Sequence, residues 1–158
     1  MKNKLTAFLF ISFFYLLQTS CNTIDVFEKN TPIPENKWHS NFQPKFEFSI
    51  TDISKQYLLS VVLRHTDDYK YNNIWLNMGY QAPGDTMRFN RLDLQLGDDA
   101  NGWEGTGMDD IWEVRKPVSS RPLSFTKKGT YTFSIAQIMR ENPLSGMMSI
   151  GLRLDKVK

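Results

Sequence analysis

Lys45-Phe46-Glu47-Phe48-Ser49-Ile50 places an apolar side chain at every second position. A period of two puts Phe46, Phe48 and Ile50 on one face of an extended strand and the polar residues on the other. The same alternation continues downstream. Tyr57, Leu59, Val61 and Leu63 form a second row, and Asp67-Asp68 marks a turn before Tyr69. Ile74, Leu76, Met78 and Tyr80 form a third, closed by the turn-forming run Gln81-Ala82-Pro83-Gly84-Asp85. Phe89, Leu92, Leu94 and Leu96 follow, and the odd step from 89 to 92 predicts a bulge or a change of face. Short strands are expected over 110–115 (Ile111, Trp112, Val114) and 130–135 (Tyr131, Phe133, Ile135). A last strand is expected over 147–155, with Met148, Ile150, Leu152 and Leu154 inward.

One stretch reads differently. Ala136-Gln137-Ile138-Met139-Arg140-Glu141 contains good helix formers and stops before Asn142-Pro143, so a short helix is expected near 136–141. The rest predicts an all-β domain. It is a single antiparallel β-sandwich, jelly-roll-like, of seven to eight strands separated by turn residues.

Upstream of the strands the composition changes. Lys2 and Lys4 precede an apolar run from Leu5 to Leu17, broken by Thr6 and Ser12. Thr19, Ser20 and Cys21 follow. A basic start, a short apolar body and a small-residue exit make a signal peptide over 1–20. The run falls short of the roughly 20 residues a spanning helix needs. Cys21 is the one cysteine in the chain of 158 residues. An exported protein rarely carries a lone thiol, and this one stands where cleavage is expected. Leu16-Leu17-Gln18-Thr19-Ser20-Cys21 resembles the bacterial lipoprotein signal, in which the cysteine is acylated and becomes the N-terminus. Gln18 departs from the apolar residue usual at that place. Residues 21–41, with Pro32 and Pro34, are expected to be a lipid-anchored tether, and 42–158 the folded domain. Phe27 and Trp38 are the first residues expected to reach the core.

The net charge of +2 equals the two leader lysines, so the mature chain is about neutral. No dense basic cluster remains to neutralise phosphates, and no nucleic-acid partner is expected.

Catalytic motifs are absent: no HExxH, P-loop, GxSxG or paired CxxC occurs. His39 follows Trp38 in the entry segment. His65, beside Asp67 and Asp68, reads as a solvated residue at a strand end, with a metal-ligand or general-base role as the alternative. The segment from Leu96 to Asp110 holds five acids, one asparagine, four glycines and Trp103. Oxygen-rich loops of this kind can wrap Ca²⁺, and Asp98, Asp99 and Asn101 are the candidate ligands. The EF-hand order is missing, which favours an ordinary surface loop and no cofactor. Trp103 and Trp112 are candidate binding residues, able to stack on a sugar ring. For Trp103, burial as a plug at the sandwich edge is the favoured reading.

A resemblance adds to this. Its residues are Cys21, Trp38, Phe46 to Asp52, Tyr57 to His65 and Tyr69 to Leu76. Leu96-Gly97-Asp98, Gly102-Trp103-Glu104-Gly105-Thr106-Gly107, Gly129 to Phe133, Gln137-Ile138-Met139-Arg140 and Leu144-Ser145-Gly146 complete the ordered set. Together they resemble the gliding motility lipoprotein GldH family of the Bacteroidetes. The resemblance implies a non-enzymatic cell-envelope lipoprotein required for gliding. Its implied partners are other envelope proteins of the gliding and type IX secretion machinery, with the membrane contacted through the lipid on Cys21. No catalytic residue and no small-molecule substrate come with it. The competing reading is a surface carbohydrate- or protein-binding module. Asn22-Thr23-Ile24-Asp25 lacks an acid-rich surface-export stretch. The expected location is therefore a lipid-anchored protein facing the periplasm, with the outer membrane favoured over the inner.

Overall fold

The computed structural model describes residues 27–157; the leader over 1–20 and Cys21 lie outside them. The strands, in chain order, begin with β1 (Glu28–Pro32), β2 (Lys37–Trp38), β3 (Lys45–Ile50), β4 (Gln56–Thr66), β5 (Asn73–Gln81) and β6 (Arg88–Gln95). Then come β7 (Gly97–Asp98), β8 (Gly102–Trp103), β9 (Thr106–Met108) and β10 (Ile111–Pro117). The chain ends with β11 (Leu123–Ser124), β12 (Gly129–Gln137), β13 (Leu144–Ser145) and β14 (Met147–Lys156). Eight of them have five residues or more, which matches the seven to eight expected.

Pairing is antiparallel throughout. One sheet runs β1-β14-β4-β10-β9, with β11 also against β4; the other runs β3-β12-β5-β6. The inward rows are those the alternation predicts. Leu59, Val61 and Leu63 from one sheet join Phe46, Phe48, Ile50, Ile74, Leu76 and Met78 from the other in one buried cluster. This is a β-sandwich. Phe125 closes one end, its ring against Phe48, Tyr57 and Tyr131.

The predicted helix over 136–141 is not formed. Ala136 and Gln137 instead continue β12 and pair with Asn77 and Leu76 of β5. A helix of one and a half turns cannot offset its own nucleation cost, whereas a strand already paired gains a ladder bond per step. The Gln137 amide then organises the following turn. It donates to the carbonyls of Trp38 and Glu141, and its oxygen accepts from the Met139 N–H.

Three further features differ from the expectation. The register of β14 against β4 shifts between Met147 and Ser149. This bulge buries Met147 fully and leaves Met148 half-buried, so Met148 is not a core residue. Between Phe89 and Leu92 the ladder of β6 with β5 is continuous. Phe89 simply occupies the outer face and is exposed. Finally, the 21–41 stretch joins the sheet from Glu28, because β1 pairs with β14 and Ile33 and Trp38 enter the core. Phe27 packs on the core as expected. No helix among the described residues is long and apolar enough to cross a membrane.

Candidate functional site

Among the described residues, two places hold the side chains that bear most on chemistry. The first is the corner where β4 ends. His65 lies opposite both Met147 and Trp112 in the ladders, and it is completely buried. The expectation of a solvated histidine is therefore wrong. The sequence neighbours Asp67 and Asp68 suggested a wet turn, but the walls come from distant residues. Trp103 meets the imidazole edge-on at 4.5 Å between centroids, and Tyr69 lies at 5.6 Å. The His65 Nδ1–H donates to the Thr66 carbonyl at 3.1 Å. Nε2, left as the bare nitrogen, has no hydrogen-bond partner among the described residues.

Burial holds the His65 imidazole below its usual range, opposed by the Thr66 hydrogen bond and the nearby Asp67 carboxylate. The unfolded imidazole titrates near ~6.5. Below that pH the unfolded chain binds a proton that the folded one refuses, so stability falls as pH falls. Above it this group contributes no pH dependence. The melting temperature is expected to drop on acidification from about pH 7.5 to about pH 5.5. A His65→Phe variant, followed by thermal circular dichroism, should show a shallower drop.

Trp103 is partly buried, packed against the edge of the core. Its strand β8 pairs with β7, and a Cβ on Gly97 would lie 2.6 Å from the Gly102 carbonyl oxygen, so the close approach of the two strands needs glycine there. Trp112 is partly exposed. Its indole N–H donates to Asp67 at 2.9 Å, and its ring covers Gly107.

In the acidic loop, Asp98 serves its own turn. One carboxylate oxygen accepts the backbone N–H groups of Ala100 and Asn101 at 2.9 and 2.8 Å, and the Asn101 side-chain amide bonds both oxygens. These bonds, the Asn101 side chain first, hold Asp98 below the usual carboxylate range. Asp99 is exposed. Among the described residues no three of His, Cys, Asp and Glu converge as metal ligands. His39 is exposed.

The second place was not singled out in the sequence. On the outer face of the four-stranded sheet, Trp75 of β5 stands opposite Asp93 of β6, and Asn77 opposite Arg91. Ile138 adjoins this row, its N–H donating to the Trp75 carbonyl. Tyr71, Trp75, Arg91, Ile138, Met139 and Arg140 line a shallow groove of about 460 Å³. Trp75 is 42% exposed. The signal was present: Trp75 sits out of phase with the inward row Ile74, Leu76 and Met78. Arg140 and Ile138 were hidden by the mistaken helix.

With this geometry in hand, the chain can be set beside known proteins. A family described as GldH lipoprotein matches residues 25–154. A gliding motility lipoprotein GldH homolog of Christiangramia forsetii is 29% identical, over 99% of this chain and 98% of that protein. The gliding motility lipoprotein GldH of Flavobacterium johnsoniae is 27% identical, over 89% and 91% respectively. Among solved structures, the infectious bursal disease virus VP2 subviral particle aligns over 84% of this chain and 31% of that one. Identity there is 12% and the TM-score 0.32, too distant a likeness to bear on function.

Proposed function

Because this chain belongs to the GldH lipoprotein family, we propose that it is a non-enzymatic envelope lipoprotein of the gliding machinery, held to the membrane by acyl chains on Cys21. The match over residues 25–154 carries the reading, since it spans nearly all of the mature chain. The two curated relatives, both named for gliding motility and lipoprotein character, support it.

In this reading the domain works by docking. Its titratable groups are spent on structure: Asp98 closes a turn, Asp67 holds Trp112, and His65 is walled in by aromatics. The partners are other envelope proteins of gliding and type IX secretion, and the domain faces the periplasm, at the outer membrane rather than the inner. The lipid on Cys21 is the one added group the role needs. Clean deletion of the gene in its host tests this. Colony spreading is expected to be abolished and surface delivery of adhesins reduced; normal spreading together with normal delivery would refute the reading.

A further inference from the structure

The mature chain is near neutral overall, but the fold separates its charges. One end of the sandwich gathers the loops over 51–55, 82–87 and 118–128. Ile50 of β3 stands opposite Gly129, Gln81 of β5 opposite Thr132, and Tyr57 of β4 between Leu123 and Lys156, so the strand ends behind these loops are level. The loops and strand ends carry Lys55, Arg88, Arg121, Lys127, Lys128 and Lys156. The acids here are few, and each is matched by a base. Asp85 holds Lys127 at 2.8 Å, and Asp52 faces Lys156 at 4.0 Å. Asp155 and Glu28 hold Arg153, and Glu28 also meets Arg115. Lys55, Arg88, Arg121 and Lys128 are exposed and have no ion-pair partner among the described residues. This end is therefore positive. The opposite end, where Thr66 of β4 pairs with Ile111, is negative. Its loops over 67–72 and 96–110 carry Asp67, Asp68, Asp98, Asp99, Glu104, Asp109 and Asp110 against one base, Lys70. The cations of the positive end come from separate loops, so no basic run in the sequence announces them.

A second observation concerns the tether. The Phe27 carbonyl accepts the Leu154 N–H, and Leu154 stands opposite Leu59, two residues from Tyr57. The Phe27 ring packs on Phe48, which also meets Phe125 of the 118–128 loop. The described chain thus begins at the positive end. Cys21 is six residues before Phe27. At ~3.3–3.6 Å per residue, even a fully extended link reaches only about 20 Å. A lipid on Cys21 keeps the positive end, rather than the negative one, close to the bilayer. In the 51–55 loop of the same end, Ile53 is 42% exposed.

We propose that this end of the sandwich docks on anionic lipid headgroups of the membrane that holds Cys21. Lys55, Arg88, Arg121 and Lys128 meet the headgroup phosphates, and Ile53 enters the interface. A basic patch beside an acyl anchor strengthens membrane attachment, and its attraction is confined to the anionic surface. Docking also orients the domain, with the acidic end turned away from the bilayer and free for partners. This rests on the lipid at Cys21 proposed above and adds an orientation to it.

Co-sedimentation with vesicles tests the proposal, using the full mature chain with Cys21→Ser so that no acyl group contributes. Vesicles of one part phosphatidylglycerol to two parts phosphatidylcholine should bring the chain down, and pure phosphatidylcholine should not. Salt at about 1 M, which shortens the screening length to ~3 Å, should release it. Lys55→Gln, Arg121→Gln and Lys128→Gln together should weaken binding about a hundredfold, the order that three basic side chains supply at an anionic leaflet. The melting temperature should not move. In the same background, an environment-sensitive dye on Ile53→Cys should shift to the blue with anionic vesicles, and one on Asp99→Cys at the far end should not. No binding to anionic vesicles, equal binding to neutral ones, or binding that survives the salt overturns the proposal. Undiminished binding by the triple variant, or a dye shift at 99 without one at 53, overturns it too. Failure of the anchor itself is read separately, by palmitate labelling of the wild-type chain.

Discussion

Trp38→Ala is expected to cost about 3–5 kcal/mol, a large share of the ~5–15 kcal/mol a domain of this kind has in total. Trp38 is fully buried. Its indole N–H donates to the Phe42 carbonyl at 2.9 Å, and its own carbonyl accepts from Gln137. Strand β2, which carries it, pairs only with the two-residue β13. Truncation thus empties a large space that a weakly held strand cannot close, and it leaves the part-buried Phe42 carbonyl without its indole donor. At about 4 °C per kcal/mol the melting temperature should fall by about 12–20 °C. Trp75→Ala is the control. Its ring is exposed on the sheet face, and the change should stay within about 1 kcal/mol. Urea unfolding of both variants reads this directly. Equal losses would mean that the entry segment over 28–38 is not part of the core.

Cys21→Ser is expected to abolish labelling by radioactive palmitate entirely. The chain has a single cysteine, so a thioether-linked lipid can form nowhere else. Each buried methylene contributes about 0.8 kcal/mol, and one acyl chain alone binds a membrane only marginally. Two or three chains on Cys21, as proposed, would therefore make the difference between a transient and a lasting anchor. Label retained in the variant would place the lipid elsewhere and remove the reading of the leader.

Much of the fold was legible because one physical signal dominates it. The rows Phe46-Phe48-Ile50 and Leu59-Val61-Leu63 alternate cleanly, and alternation fixes which face meets the core. Failures occurred where the deciding partner is remote in sequence. Gln137 looks helical beside Ala136 and Met139, yet its fate is set by β5 and by Trp38, 99 residues away. Met147 rather than Met148 faces inward because of a bulge, which local periodicity cannot register. His65 looked wet because its sequence neighbours are acids; its walls, Trp103 and Met147, arrive from other strands.

The candidate sites were read less well than the fold. Composition marks the loop that carries Asp98 and Trp103 as unusual, but composition does not tell a ligand from a turn cap. The groove at Trp75 is made by β5, β6 and the segment after β12, and only the register places Arg91 and Ile138 beside it. Cys21 is the reverse case. It lies outside the described residues, and its role is carried by sequence alone.

In the proposed role, a folded docking domain must be held at the membrane by lipid on Cys21 for gliding to occur. Colony spreading of a deletion strain complemented with wild-type or Cys21→Ala chain, at matched abundance, tests it most directly. Wild-type should restore spreading and Cys21→Ala should not; restoration of spreading by Cys21→Ala would contradict the account.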